Sequence, residues 1–135
     1  MQRKIGILLL VGLLSGLLGA CGSSSPQKAG DTFVADATAA LEATPDVVTS
    51  KVRYTDPGGM GAVINVRVTA DPAADLESVL AGSLRAVSGA SGSLKSVSKV
   101  EFYVFPEGDE ENGIRPNVLG LPQSPTVEEI RNYSK

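Results

Sequence analysis

The chain has 135 residues, 42% of them hydrophobic and 20% charged, with six aromatic side chains and no tryptophan. That is one domain's length, and the mix is too apolar for a disordered chain. With no histidine and one cysteine, Ser-His-Asp triads, Cys-His dyads, His-bearing zinc sites, four-cysteine clusters and internal disulfides are all excluded within one chain.

Met1 to Lys4 carry two positive charges, Ile5 to Leu18 carry none, and the small residues Gly19 and Ala20 precede Cys21, the three-part pattern of a secretory signal. The apolar run falls short of the ~20 residues that a spanning helix needs. The ending Leu18-Gly19-Ala20-Cys21 resembles the lipobox of bacterial prolipoproteins. The resemblance implies a diacylglyceryl group on the Cys21 thiol, cleavage between Ala20 and Cys21, and acylation of the new amino terminus. Gly22 stands where an aspartate would signal retention at the inner membrane in some two-membrane bacteria. The alternative is a plain secretory signal with a stray cysteine, or an uncleaved anchor. At ~0.8 kcal/mol per buried CH₂, two acyl chains would hold the protein on the membrane where one binds reversibly. The expected address is therefore the extracytoplasmic face of a cell membrane. Removing residues 1–20 takes away Arg3 and Lys4 and no acid, leaving ten basic residues against fifteen acidic ones, a net charge of −5. Such a domain repels phosphate backbones, and its basic residues are spread along the chain, so no nucleic-acid partner is expected.

Gly22 to Gly30, GSSSPQKAG, reads as a flexible continuation of the tether, giving a lipidated spacer over 21–30 and a single domain over 31–135. Phe33, Val34, Ala37, Ala40 and Leu41 recur at helical spacing, with Asp31 or Thr32 placed to cap the start and Pro45 to end the run. Val48, Ser50, Val52 and Tyr54 then alternate with Val47, Thr49, Lys51 and Arg53. After the glycine-rich turn Gly58-Gly59-Met60-Gly61, Ala62, Ile64, Val66 and Val68 alternate with Val63, Asn65, Arg67 and Thr69. This is a hairpin with one apolar face. Asp71-Pro72 reads as a cap with a first-turn proline, and Leu76, Val79, Leu80, Leu84 and Val87 trace the stripe of an amphipathic helix. A third strand is expected over Val97 to Phe105 and a weaker, edge-suited one over Ile114 to Leu121, where Pro116 falls. A short helix through Val127 and Ile130 would close the chain. The fold class that follows is α+β: an antiparallel sheet of about four strands covered on one face by helices, in the order α-β-β-α-β-β. That order, with the approach Thr44-Pro45-Asp46-Val47 to the first strand, resembles over at most Thr32 to Phe105 the small bacterial envelope domain called BON. The resemblance implies non-catalytic binding of envelope lipid or protein surfaces and transfers no residue.

The Gly58–Gly61 loop lies between strands, lacks a following Lys-Ser/Thr and opens no helix, so it reads as a turn rather than a phosphate loop. Asp109, Glu110 and Glu111 are consecutive, unlike the alternating ligands of an EF-hand; no metal or other cofactor is expected. No serine, lysine or carboxylate falls in a motif with catalytic geometry, so the chain reads as a non-enzyme. Alternation sends Phe102 to one face of its strand and Tyr103 with Phe105 to the other, which makes Tyr103 and Phe105 the candidate interaction surface if they do not pack under the C-terminal segment. The polar faces around Lys51 and Arg67 are the alternative interface. The function expected is that of a membrane-anchored envelope lipoprotein, a non-catalytic binding or scaffold module for a protein or another envelope component. A lipid or glycolipid carrier and a small cell-wall hydrolase are the rivals, which would need an apolar cavity and a polar cleft respectively.

Overall fold

A computed structural model describes residues 26–57 and 61–135. The leader, Cys21, the start of the tether and the centre of the hairpin turn lie outside the described residues.

The first helix, α1 (Pro26–Glu42), begins earlier than the expected Asp31 or Thr32 cap. Proline suits a first helical turn because its fixed φ is already helical and its missing N–H is not needed there. Gly30 then prolongs the stripe of Phe33, Ala37 and Leu41, all buried. A Cβ at Gly30 would lie 2.3 Å from the Tyr54 ring, so glycine lets the helix close onto the sheet, and that contact outweighs glycine's poor helix propensity. Residues 26–30 are thus part of the folded domain rather than of the spacer. Asp46 turns the chain with φ of 65°, and its carbonyl accepts from the Asp71 N–H at 2.8 Å.

The hairpin forms as expected: β1 (Val47–Thr55) pairs antiparallel with β2 (Val63–Ala70), with an irregularity between Val47 and Thr49. The helix α2 (Leu76–Ala90) follows, capped by Asp75, whose carboxylate accepts from the Ser78 N–H. The expected cap at Asp71 instead makes a tight turn upstream, its carboxylate accepting from the Ala73 N–H at 2.8 Å. Val79, Leu80, Leu84 and Val87 of the α2 stripe are buried; Leu76 is half-buried and packs against the core.

Here the all-antiparallel expectation is corrected. The strand β3 (Lys99–Pro106) pairs parallel with β2, because α2 carries the chain back to the end where β2 began. The sheet is mixed and three-stranded, in the order β1-β2-β3. The expected fourth strand is absent from the described residues. Ile114 exchanges two hydrogen bonds with Val104 and the ladder stops there, since Pro116 has no N–H to donate and instead opens a 3-10 turn ended by Gly120 in the left-handed region. The closing helix, α3 (Val127–Tyr133), forms with a reciprocal capping box between Thr126 and Glu129. Ile64, Val66 and Val68 of the central strand and Val100, Phe102 and Val104 of β3 face the helices and are fully buried. Among the described residues the other face of the sheet carries no α-helix, only the short 3-10 turn Glu110–Asn112 over its β3 side, and it is where the candidate site lies.

Candidate functional site

Alternation and register together determine what the open face presents. Lys51 of β1 sits beside Arg67 of β2, and Arg67 beside Tyr103 of β3; the next row is Arg53, Asn65 and Glu101, and the one beyond is Thr55, Val63 and Lys99. Neighbouring strands are ~4.8 Å apart and alternate residues roughly 7 Å apart along a strand. Lys51, Arg53 and Arg67 are therefore close neighbours in space, although Arg67 is separated from the other two in sequence. They are exposed and border, with Asn65, an open groove of about 380 Å³. A second hollow of about 190 Å³ adjoins it, sharing Lys51 and Arg67 and reaching Thr69, Phe105 and Glu110.

Phe105 is 7% exposed and Tyr103 half-buried, so neither forms a free aromatic patch. Their rings stack on each other with centroids 5.6 Å apart. The Arg67 guanidinium lies 5.3 Å from the Tyr103 centroid and 5.2 Å from that of Phe105, and Arg115 covers Tyr103 at 4.9 Å. The Tyr103 hydroxyl donates to the Glu110 carbonyl and accepts from the Gly113 N–H. A Cβ at Gly113 would stand 2.4 Å from that ring, so glycine allows the acidic loop to lie flat on it. The two aromatics act as a platform beneath Arg67, holding a guanidinium in place by cation–π attraction. Glu110 pairs with Arg67 at 3.2 Å, but both side chains are largely exposed and the pair is worth at most about 1 kcal/mol. Among the described residues, no carboxylate pairs with Lys51 or Arg53.

At the far end of the sheet, the Tyr54 phenol is pushed above its ordinary value by burial first and then by the charge of Asp56, to which it donates a long hydrogen bond of 3.5 Å. Such a shift moves the group away from acid–base use near neutral pH. Two hydroxyls, of Ser50 and Ser83, are buried without a hydrogen-bond partner among the described residues. Neither therefore has the adjacent base that activates a serine nucleophile. No group of three cysteine or acidic side chains suited to a metal ion occurs among the described residues, and no described helix is long and apolar enough to cross a membrane.

The structure thus gathers cations that are scattered in the sequence. Their signal was present in the alternation of Lys51 with Arg53 and of Asn65 with Arg67, but reading it needed the β1–β2 register and the side of the sheet left uncovered. Comparison with protein-family models, with curated proteins and with solved structures finds no match for this chain.

Proposed function

We propose that the protein is a membrane-anchored module of the cell envelope that binds, without catalysis, a protein or other envelope component through the open face of its sheet. The observation that carries this reading is the cluster of Lys51, Arg53 and Arg67 around shared grooves, with Arg67 held on the Tyr103–Phe105 platform. In a chain with more acidic than basic residues, that local excess of positive charge favours an anionic partner and steers its approach. The helix-covered side is filled by side chains from Phe33 to Ile130, which favours a packed module over a lipid carrier.

The anchor part of the proposal rests on Leu18-Gly19-Ala20-Cys21. The Pro26 start of α1 comes only five positions after Cys21, a reach of at most ~18 Å even if fully extended. A lipid on Cys21 would keep the domain close to the membrane surface.

Cys21→Ala abolishes incorporation of a fatty-acid analogue and leaves an unprocessed or released product; intact labelling of the variant contradicts the anchor. For the binding part, a photo-crosslinker at position 53 captures a discrete partner in intact cells while one at the exposed helix position 85 does not. Equal capture from both, or capture from 85 alone, contradicts the face.

A further inference from the structure

Building on that reading, we infer that the outer edge of β1 receives an acidic, extended protein segment, which pairs as a fourth strand and sets its carboxylates against Lys51 and Arg53. The two outer edges of the sheet differ. That of β3 is occupied: the Val100 N–H donates to the Pro125 carbonyl at 2.8 Å, the Val127 N–H to Ser98 at 2.8 Å, and Val104 and Ile114 exchange a pair. That of β1, nine residues long and without proline, is used only at its start, where the Val47 N–H donates to the Thr44 carbonyl at 3.2 Å; from Val48 to Thr55 it has no main-chain partner outside β2 among the described residues. An open strand edge is a row of unused donors and acceptors that an extended chain can satisfy.

Three observations define the occupant. Only a polymer with its own peptide backbone can use the edge, which favours a protein segment over a phosphate-bearing ligand in the groove. On the open face its side chains would stand beside Lys51 and Arg53, two exposed cations with no acidic partner among the described residues, so alternate positions should be Asp or Glu. On the other face they would lie beside Val52 and Tyr54, both half-buried, so the intervening positions should be apolar. A second copy of this chain is disfavoured by the same charges. Two β1 strands paired about a two-fold axis near Val52 would set Lys51 opposite Arg53, like charge against like charge.

The test uses the full chain in detergent and a blocked peptide of alternating valine and glutamate, about eight residues long to match a strand, followed by fluorescence anisotropy and by amide exchange of β1. The peptide binds and slows exchange of outward β1 amides that exchange rapidly without it. Methylating the peptide's pairing-edge nitrogens, or replacing its glutamates by lysine, weakens binding roughly tenfold or more, and K51E together with R53E reverses the preference between the glutamate and lysine peptides. Both substituted positions are exposed, and circular dichroism verifies that the double variant folds. The inference is overturned if the methylated peptide binds equally well, which would mean attraction between charges without strand pairing. It is also overturned if β1 amides are already protected in the isolated chain, by its own residues 1–25 or by a second copy, or if no peptide binds. Capture from position 53 in cells combined with peptide failure would sink the strand inference and leave the proposed function standing. Loss of the Cys21 anchor would do the reverse.

Discussion

Val66→Asp abolishes cooperative folding. Val66 is fully buried at the middle of the central strand, paired with Val52 on one side and Phe102 on the other, and faces the core that α1 and α2 close. A carboxylate there would have to remain charged without a partner or take up a proton against its solution preference, and either costs several kcal/mol. A domain of this size has only about 5–15 kcal/mol in total, so most of its stability is consumed. Asn65→Asp, one position along on the exposed face beside Arg53, changes stability by less than about 0.5 kcal/mol because its carboxylate stays in water. Urea unfolding followed by circular dichroism distinguishes the two. A Val66→Asp protein with a cooperative transition close to the parent's would mean that the buried face has been misassigned.

Arg131→Met detaches the closing helix. From α3 the Arg131 Nε donates to the Ser91 hydroxyl at 3.0 Å and Nη1 to the Ser96 hydroxyl at 3.3 Å, while Nη2 reaches the carbonyls of Ser91 and of Leu94. One planar guanidinium therefore satisfies the end of α2 and the loop that leads to β3. Ser91 is 1% exposed, so water cannot replace the lost donors cheaply. Leaving such acceptors without donors costs about 1–3 kcal/mol, and Arg131→Lys restores little because an ammonium cannot span the same acceptors. The loss should appear as faster amide exchange and earlier proteolysis of residues 127–135, ahead of any change in β2. Unchanged exchange there would mean that Val127 and Ile130, both buried, hold the helix without the arginine.

What was legible in the sequence is what depends on local period. The Leu76–Val87 stripe and the β1–β2 hairpin each bury one face, so their spacing alone reports them. The direction of β3 was not legible, because alternation is the same in a parallel and an antiparallel strand; the crossover through α2 decides it. The expected strand after Ile114 stops at Pro116, a residue that an edge strand tolerates but that here opens a 3-10 turn. The early start of α1 depended on a contact of Gly30 with Tyr54, distant in sequence, whereas composition alone made residues 22–30 look like spacer. The site was obscured for a related reason. Tyr103 and Phe105 stood out as large apolar groups on the polar side of a strand, and only the register shows Arg67 lying across both rings and the neighbouring cations completing the face.

The proposed function requires that this open face meets a partner at the membrane. Lysine acylation of intact cells, compared with acylation of the purified folded chain, tests it without any substitution. Lys28 lies on α1 and Lys135 at the C-terminus, both exposed, whereas Lys51 lies on the open face, on its edge strand β1. Lys51 is expected to be shielded in cells while Lys28 and Lys135 react as they do in the purified protein; full reactivity of Lys51, with shielding confined to Lys28, would contradict the proposed function.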